Sequence, residues 1–295
     1  MSERILVFGS HGYIGSAFLK YILEVGYSGS IITADFVSSE LPFEHIKLDQ
    51  SYSLETVLND IQPNRIINLA GKTFGKSLED FLNPNVVFPE KLMKYSSENG
   101  VILFLIGSAA EFADSNTLLS EDSVIAPNNY YGLSKSFQFQ LAQYYWNMGS
   151  KVIYLRPFNL YDRTFSKGGL INEICRNALF ENVSQINILS QDFIRDFISI
   201  DYLTYVLNSI CFSELNKNDF DFNICSSTPI SYFELAELLA NLCNITVKQT
   251  KDEINKRGFN NYSVGDNSKV LKRFKLKKPN QLKMEIQEIF GTTKR

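Results

Sequence analysis

Tyr131 and Lys135 stand four residues apart in a stretch of helical periodicity, so a phenol and an ammonium project from one helix face. A phenol with an ordinary pKa of about 10 is a poor acid or base at neutral pH. A neighbouring cation stabilises its anion and moves it toward the working range. Such a pair is common on helix surfaces and gains meaning only from its setting. Here it follows a second pattern, Gly9, Gly12 and Gly15, placed between the apolar run Ile5 to Phe8 and an apolar helix.

A chain that must turn sharply after a strand, approach a pyrophosphate closely and pack a helix against that strand needs glycine at these three places. The helix start then offers unpaired N–H groups and a positive dipole end to the phosphates. The next strand, Ile31 to Ala34, ends on Asp35. A carboxylate there accepts hydrogen bonds from ribose hydroxyls and repels a 2′-phosphate, and no arginine lies in Phe36 to Glu40 to welcome one. These residues predict a dinucleotide site that favours NAD, with NADP possible. Asp49, after another short apolar stretch, is a candidate for the adenine amino group. Beside such a site, the positive charge of an oxidised nicotinamide adds to Lys135 in stabilising a Tyr131 phenolate.

Unbroken apolar runs at Ile5 to Phe8, Ser30 to Ala34, Arg65 to Leu69, Ile102 to Ile106 and Val152 to Leu155 suit strands buried on both faces. Between them, Ser16 to Val25, Ser53 to Ile61, Asn85 to Glu98 and Gly132 to Trp146 carry helical periodicity. The alternation predicts an α/β fold, a Rossmann-like doubly wound parallel sheet over residues 1–160. A smaller mixed α/β substrate lobe is expected over 161–295, with strands from about 194–225 returning to the main sheet. In this half, Gly168 to Leu179 and Ser231 to Leu242 read as helices, the second opened by a Ser231/Glu234 capping box. Ile194 to Ile200 and Phe220 to Ile224 read as strands.

With 295 residues the chain needs no metal or disulfide to build a core. A net charge of −3 argues against a nucleic-acid binder, and the basic segment Lys269 to Lys278 alternates with apolar packing positions. The four cysteines form no CxxC pair and have two histidines as co-ligands, so free thiols are expected and no metal site. No apolar stretch reaches the ~20 residues of a membrane span, and the start reads as a strand, which predicts a cytoplasmic protein without a membrane partner.

Several blocks, in order, resemble the extended short-chain dehydrogenase/reductases, the branch rich in nucleotide-sugar enzymes. Gly9-Ser-His-Gly12-Tyr13-Ile14-Gly15 resembles the glycine motif, with Phe8 at a usual threonine. Asn68-Leu-Ala70-Gly71 resembles the segment beneath the cofactor, and Asn85-Val86 the asparagine that helps build the active site. Gly107-Ser108-Ala109-Ala110-Glu111-Phe112 is similar to the segment carrying the catalytic Ser or Thr, with Phe112 at a usual tyrosine and Ala113 at a usual glycine. Tyr131-Gly-Leu-Ser-Lys135 is a complete YxxxK motif. Leu155-Arg-Pro157-Phe158-Asn159 resembles the block whose Pro and Phe meet nicotinamide and whose Asn reaches substrate. Arg195-Asp196-Phe197 is similar to the block whose arginine binds the sugar nucleotide's pyrophosphate.

The resemblance implies that Ser108 hydrogen-bonds the reacting sugar oxygen, Tyr131 exchanges its proton, and Lys135 holds the nicotinamide ribose. Arg257 is a candidate second phosphate ligand. A homodimer through aromatic-rich helices containing Phe137, Tyr144 and Trp146 is also implied. Ala109 and Ala110 stand where the family's 4,6-dehydratases carry an Asp-Glu pair, and Ala110 where its epimerase-reductases carry cysteine, so elimination and coupled 3,5-epimerisation lose their acid. What remains is reduction of an NDP-4-keto-6-deoxyhexose, favoured by the Gly-Ser-Ala-Ala-Glu segment, or 4-epimerisation with bound NAD, favoured by Asp35. A non-catalytic dinucleotide sensor is the alternative from another class, and retention of Ser108, Tyr131 and Lys135 counts against it.

Overall fold

The computed structural model describes residues 3–27, 29–39, 41–49, 53–164, 171, 175–176, 185–188, 193–249 and 261–293. In chain order the elements begin β1 (Arg4–Phe8), α1 (Tyr13–Glu24), β2 (Ser30–Asp35), β3 (Glu44–Lys47), α2 (Leu54–Ile61) and β4 (Arg65–Asn68). Next come α3 (Glu79–Leu82), a π-turn over Asn83–Val87, α4 (Phe88–Asn99), β5 (Ile102–Ile106), α5 (Tyr130–Asn147), β6 (Val152–Pro157) and β7 (Asn159–Tyr161). Then follow β8 (Gln185–Ile188), β9 (Ile194–Arg195), β10 (Phe197–Ser199), α6 (Ile200–Cys211), β11 (Asp221–Ile224) and β12 (Ile230–Ser231). The chain continues through α7 (Tyr232–Cys243), β13 (Thr246–Gln249), β14 (Tyr262–Ser263), α8 (Ser268–Phe274) and α9 (Leu282–Thr293). The proposed helix Gly168 to Leu179 falls largely outside the described residues.

Seven strands form one sheet in the order β11-β6-β5-β4-β1-β2-β3, and β3-β2-β1-β4-β5-β6 pair in parallel. This is the Rossmann-like α/β sheet expected from the apolar runs. Ile5, Leu6, Leu103, Leu105, Val152 and Leu155 are fully buried, as strands covered on both faces require. The chain leaves β1 for β2 on one side and returns to β4 on the other, so a topological switch point lies between β1 and β4. Ligands of open α/β sheets bind outside the strand ends at such a point.

The chain divides into two compact units. The first comprises residues 1–111, 130–156 and 204–222, and the second 112–129, 157–203 and 223–295. In the first unit, Ser53 caps α2 by accepting from Thr56 N, and α4 stops at Gly100, whose φ of 67° favours glycine. In the second, the core gathers Tyr161, Phe197, Leu235, Leu239 and Ile286. The Ser231/Glu234 capping box of α7 is formed in both directions.

Residues 194–200, read from sequence as one strand, are divided by Asp196. β9 pairs with β12 and β14, β10 pairs with β7, and Ile200 already starts α6. Asp196 is where the backbone changes partner: its N–H donates to Ser263 O at 3.1 Å while its carbonyl accepts from Asn159 N at 3.3 Å, so the residues before and after it belong to different ladders. No helix among the described residues is long and apolar enough to cross a membrane.

Candidate active site

The loop after β1 is shaped by contacts that leave no room for side chains. Gly9 has φ of +76°, and a Cβ on it would lie 2.4 Å from Ala70 N. A Cβ on Gly15 would lie 2.0 Å from Gly9 O. Both values are far inside van der Waals contact, so the loop must be backbone against backbone where β1 and β4 end. Gly12 N donates to Gly9 O at 3.1 Å, and Gly12 is the N-cap of α1 without a side-chain cap. Tyr13 and Ile14, both half-buried, open that helix.

Asp35 ends β2 beside this loop, where its Oδ2 accepts from His11 N at 2.9 Å and its Oδ1 from Phe36 N at 2.7 Å. His11 Nδ1 lies 3.4 Å from the same Oδ2. The carboxylate is thereby fixed at the mouth of the glycine loop with part of its surface open, as a ribose acceptor needs. Glycines packed on backbone, a helix start facing them and a held acid fit a dinucleotide. Asp49 is exposed beyond β3.

From β4, Asn68 Oδ1 accepts from Ala70 N at 3.2 Å and so shapes the turn into Gly71. A Cβ on Gly71 would stand 3.2 Å from Asn85 Oδ1 and 3.6 Å from Lys135 Nζ. The segment predicted to lie beneath the cofactor therefore leads directly to the Tyr-Lys helix. Asn85, fully buried on the π-turn, brackets Lys72 by accepting from its N–H and donating to its carbonyl, both at 2.8 Å. It also donates to Ser134 Oγ at 3.0 Å, tying the turn to α5.

Ser108, Tyr131 and Lys135 come together in the first unit. Ser108 follows β5, its Oγ accepts from Ala110 N at 3.1 Å, and its hydroxyl is hydrogen-bonded to the Tyr131 phenol. Burial pushes the Tyr131 phenol up to about 12; the Ser108 bond opposes that rise and the Glu111 carboxylate adds to it. Lys135 is 4% exposed and donates to Ile106 O at 2.7 Å and Gln138 Oε1 at 3.1 Å. Burial brings its ammonium down to about 8, against a raising influence from Glu111. Lys135 thus sits closer to exchange at physiological pH than a surface lysine would, whereas the Tyr131 phenol, expected from its spacing to be lowered by that cation, is moved farther from it by burial.

Sequence reading missed the groups behind this triad. Glu111 is fully buried, and its Oε1 accepts from Ser108 N at 2.8 Å and from the Tyr154 hydroxyl at 2.6 Å. Arg156, also fully buried, donates Nε to Glu111 Oε2 at 3.0 Å and Nη1 to Asp221 Oδ2 at 2.8 Å. One signal was available: an arginine inside the otherwise apolar Val152-Ile-Tyr-Leu-Arg-Pro run must find buried acids.

In the second unit, Pro157 ends β6 and Phe158, 4% exposed, faces Phe112 with ring centroids 6.5 Å apart. Asn159 donates Nδ2 to Asp196 O at 2.8 Å. Arg195 is 6% exposed and donates to Ile194 O at 2.9 Å and Asn261 O at 3.2 Å. Its guanidinium lies over the Phe193 and Tyr232 rings at 5.0 and 5.4 Å. Asp196 directs its carboxylate to Ser226, Ser227 and Gly265. Arg257 lies outside the described residues.

The family model described as the NAD dependent epimerase/dehydratase family matches residues 5–223. GDP-6-deoxy-D-talose 4-dehydrogenase of Aggregatibacter actinomycetemcomitans is 25% identical over 91% of this chain and 90% of its own length. GDP-6-deoxy-D-mannose reductase of Pseudomonas aeruginosa is 22% identical over 85% of this chain and 84% of its own. UDP-glucuronic acid 4-epimerase of Bacillus cereus, solved with UDP-glucuronic acid and NAD, superposes with a TM-score of 0.82 at 19% identity, covering 99% of each chain. The glycine loop at the switch point, the held Asp35, the Ser108-Tyr131-Lys135 set and a family match over most of the length meet in one conclusion: this chain belongs to the NAD dependent epimerase/dehydratase family, enzymes of the extended short-chain dehydrogenase/reductase type.

Proposed function

We propose that this enzyme reduces the 4-keto group of a nucleotide-linked 4-keto-6-deoxyhexose. The observation that carries the reading is the Ser108-Tyr131 hydrogen bond beside buried Lys135, with alanine at both positions 109 and 110. Ser108 donates a hydrogen bond to the keto oxygen. Tyr131, a neutral phenol at pH 7 in the chain alone, delivers its proton to that oxygen as the alcohol forms. Lys135 spends two of its three N–H donors on Ile106 O and Gln138 Oε1, and the third serves the nicotinamide ribose.

The Gly9-Gly12-Gly15 loop with Tyr13 and Ile14, together with Asp35, Ala70, Gly71 and Asn85, would hold the dinucleotide, and its nicotinamide supplies the hydride when bound. Asn159 and Arg195 are assigned to the sugar nucleotide. A GDP substrate is supported by the names of the two relatives that align over most of the chain, and redox at C4 by the name of the 4-dehydrogenase. A second reading, 4-epimerisation with retained NAD, is favoured by Asp35, whose fixed carboxylate discourages a 2′-phosphate.

Incubation with GDP-, UDP-, dTDP- and CDP-linked 4-keto-6-deoxyhexoses, with NADH or NADPH, tests the choice. Reduction predicts one equivalent of reduced nicotinamide lost per sugar, with a new C4 hydroxyl by NMR. A C4 epimer formed from a hexose without net nicotinamide change would replace this reading with the second.

A further inference from the structure

We propose that Glu111 is a positioning residue for the redox reaction, fixing Ser108 through its main chain and standing as the buried counter-charge to Lys135. The inference rests on the catalytic roles proposed above and adds a residue that touches neither substrate nor cofactor.

The geometry carries it along two arms. On the first, Glu111 Oε1 accepts from Ser108 N at 2.8 Å, closing the turn between β5 and α5 on which the Ser108 hydroxyl is presented. On the second, the same oxygen accepts from Tyr154 OH at 2.6 Å, and Tyr154 OH lies 3.1 Å from the Lys135 carbonyl. One carboxylate oxygen thus joins the serine turn to Tyr154 of β6, whose hydroxyl packs against the α5 main chain at Lys135. Tyr154 is pressed into this place: a Cβ on Gly107 would lie 2.2 Å from its ring.

Charge bookkeeping explains why an acid is needed rather than a neutral acceptor. Removing a carboxylate from water costs several kcal/mol unless opposite charge is close. Facing Glu111 are Arg156 and Tyr154 from β6, Ser108 from its own turn, and Tyr131 and Lys135 from α5; Asp221 of β11 holds the far side of Arg156. Two carboxylates and two cations balance. Arg156 divides its guanidinium between Glu111 and Asp221, and the field of Glu111 also reaches the Lys135 ammonium. The direction agrees, since Glu111 raises Lys135 and opposes the drop that burial imposes.

The direct test is titration of 13Cε-labelled lysine by NMR, with the Lys135 signal assigned by its loss in Lys135→Met. In the wild type the expected midpoint is about 8, since burial lowers the ammonium and Glu111 opposes it. In Glu111→Gln it falls by on the order of one pH unit. This measurement needs no turnover, so it stands apart from the fate of the functional reading. Where the wild type turns over a 4-keto sugar, the basic limb of its kcat profile moves down with the midpoint in Glu111→Gln, while KM changes less than about two-fold. Tyr154→Phe, which removes a hydroxyl but no charge at neutral pH, lowers kcat and leaves the Lys135 midpoint unchanged. A Glu111→Gln protein with a wild-type midpoint overturns the proposal. Should that variant fail to fold, Tyr154→Phe with wild-type kcat overturns it. A wild-type enzyme that reduces no keto sugar, yet shows the Lys135 shift, refutes the function and leaves the counter-charge standing.

Discussion

Among the described residues, Glu111 and Asp196 are fully buried carboxylates that meet different kinds of partner. Glu111, in the first unit, meets a guanidinium at 3.0 Å, a phenol and a main-chain N–H. Asp196, in the second, meets neutral donors among the described residues: Ser226 N at 2.7 Å, Ser226 Oγ at 2.6 Å, Ser227 N at 2.8 Å and Gly265 N at 3.3 Å. Burial raises both groups, and for Asp196 the four neutral bonds leave it at about 6. Neutral donors therefore pin a carboxylate in space without securing its charge. Beside Glu111 the Arg156 guanidinium opposes the rise that burial imposes but does not cancel it. The first arrangement suits a staple that ties Asp196 to the Ser226–Ser227 and Gly265 segments of the second unit, and the second places a charged cluster behind Ser108, Tyr131 and Lys135.

The contrast is broken most severely by Arg156→Ala. It leaves Glu111 and Asp221 buried without their shared cation, and urea unfolding should show a loss of about 3–5 kcal/mol. A loss below about 1 kcal/mol would mean the cluster is wet rather than dry.

Asp196→Asn tests the other half. Because the folded-state pKa lies above the ordinary 3.8, the stabilisation linked to this group is present below about pH 4 and is lost as pH rises through about 6. The stability of wild type minus variant should then decline by on the order of 3 kcal/mol between pH 4 and pH 7. A difference independent of pH would show that Asp196 is ionised throughout. The smallest effect is expected at Ser231→Ala, which opens the α7 capping box and should cost about 1 kcal/mol in the same unfolding assay.

The comparison also shows what a sequence discloses. β1, its glycines, β2 with Asp35, and α5 with Tyr131 and Lys135 were legible because each rests on a local rule: an apolar run, a forced turn, a four-residue spacing. The α7 box was legible for the same reason. β3 was not, since Glu44–Lys47 is a half-exposed edge strand with charges at both ends. α6 escaped because its apolar face merges with the strand-like residues before it. The Glu111-Arg156-Asp221 cluster is non-local, its members 45 and 65 residues apart. An acid three residues after Ser108 and an arginine in an apolar strand each mark a buried charge, but only the fold reveals that they answer one another. Asp196 was legible as a neighbour of Arg195 and not as the breaker of its own strand.

The central claim, that Ser108, Tyr131 and Lys135 run a redox step at a sugar carbon, is tested most directly by Tyr131→Phe in a single-turnover assay with reduced nicotinamide and a GDP-4-keto-6-deoxyhexose. The account predicts that the variant binds the dinucleotide within a few-fold of wild type while hydride consumption slows by about 10²–10⁴-fold. Consumption at the wild-type rate in Tyr131→Phe would contradict it.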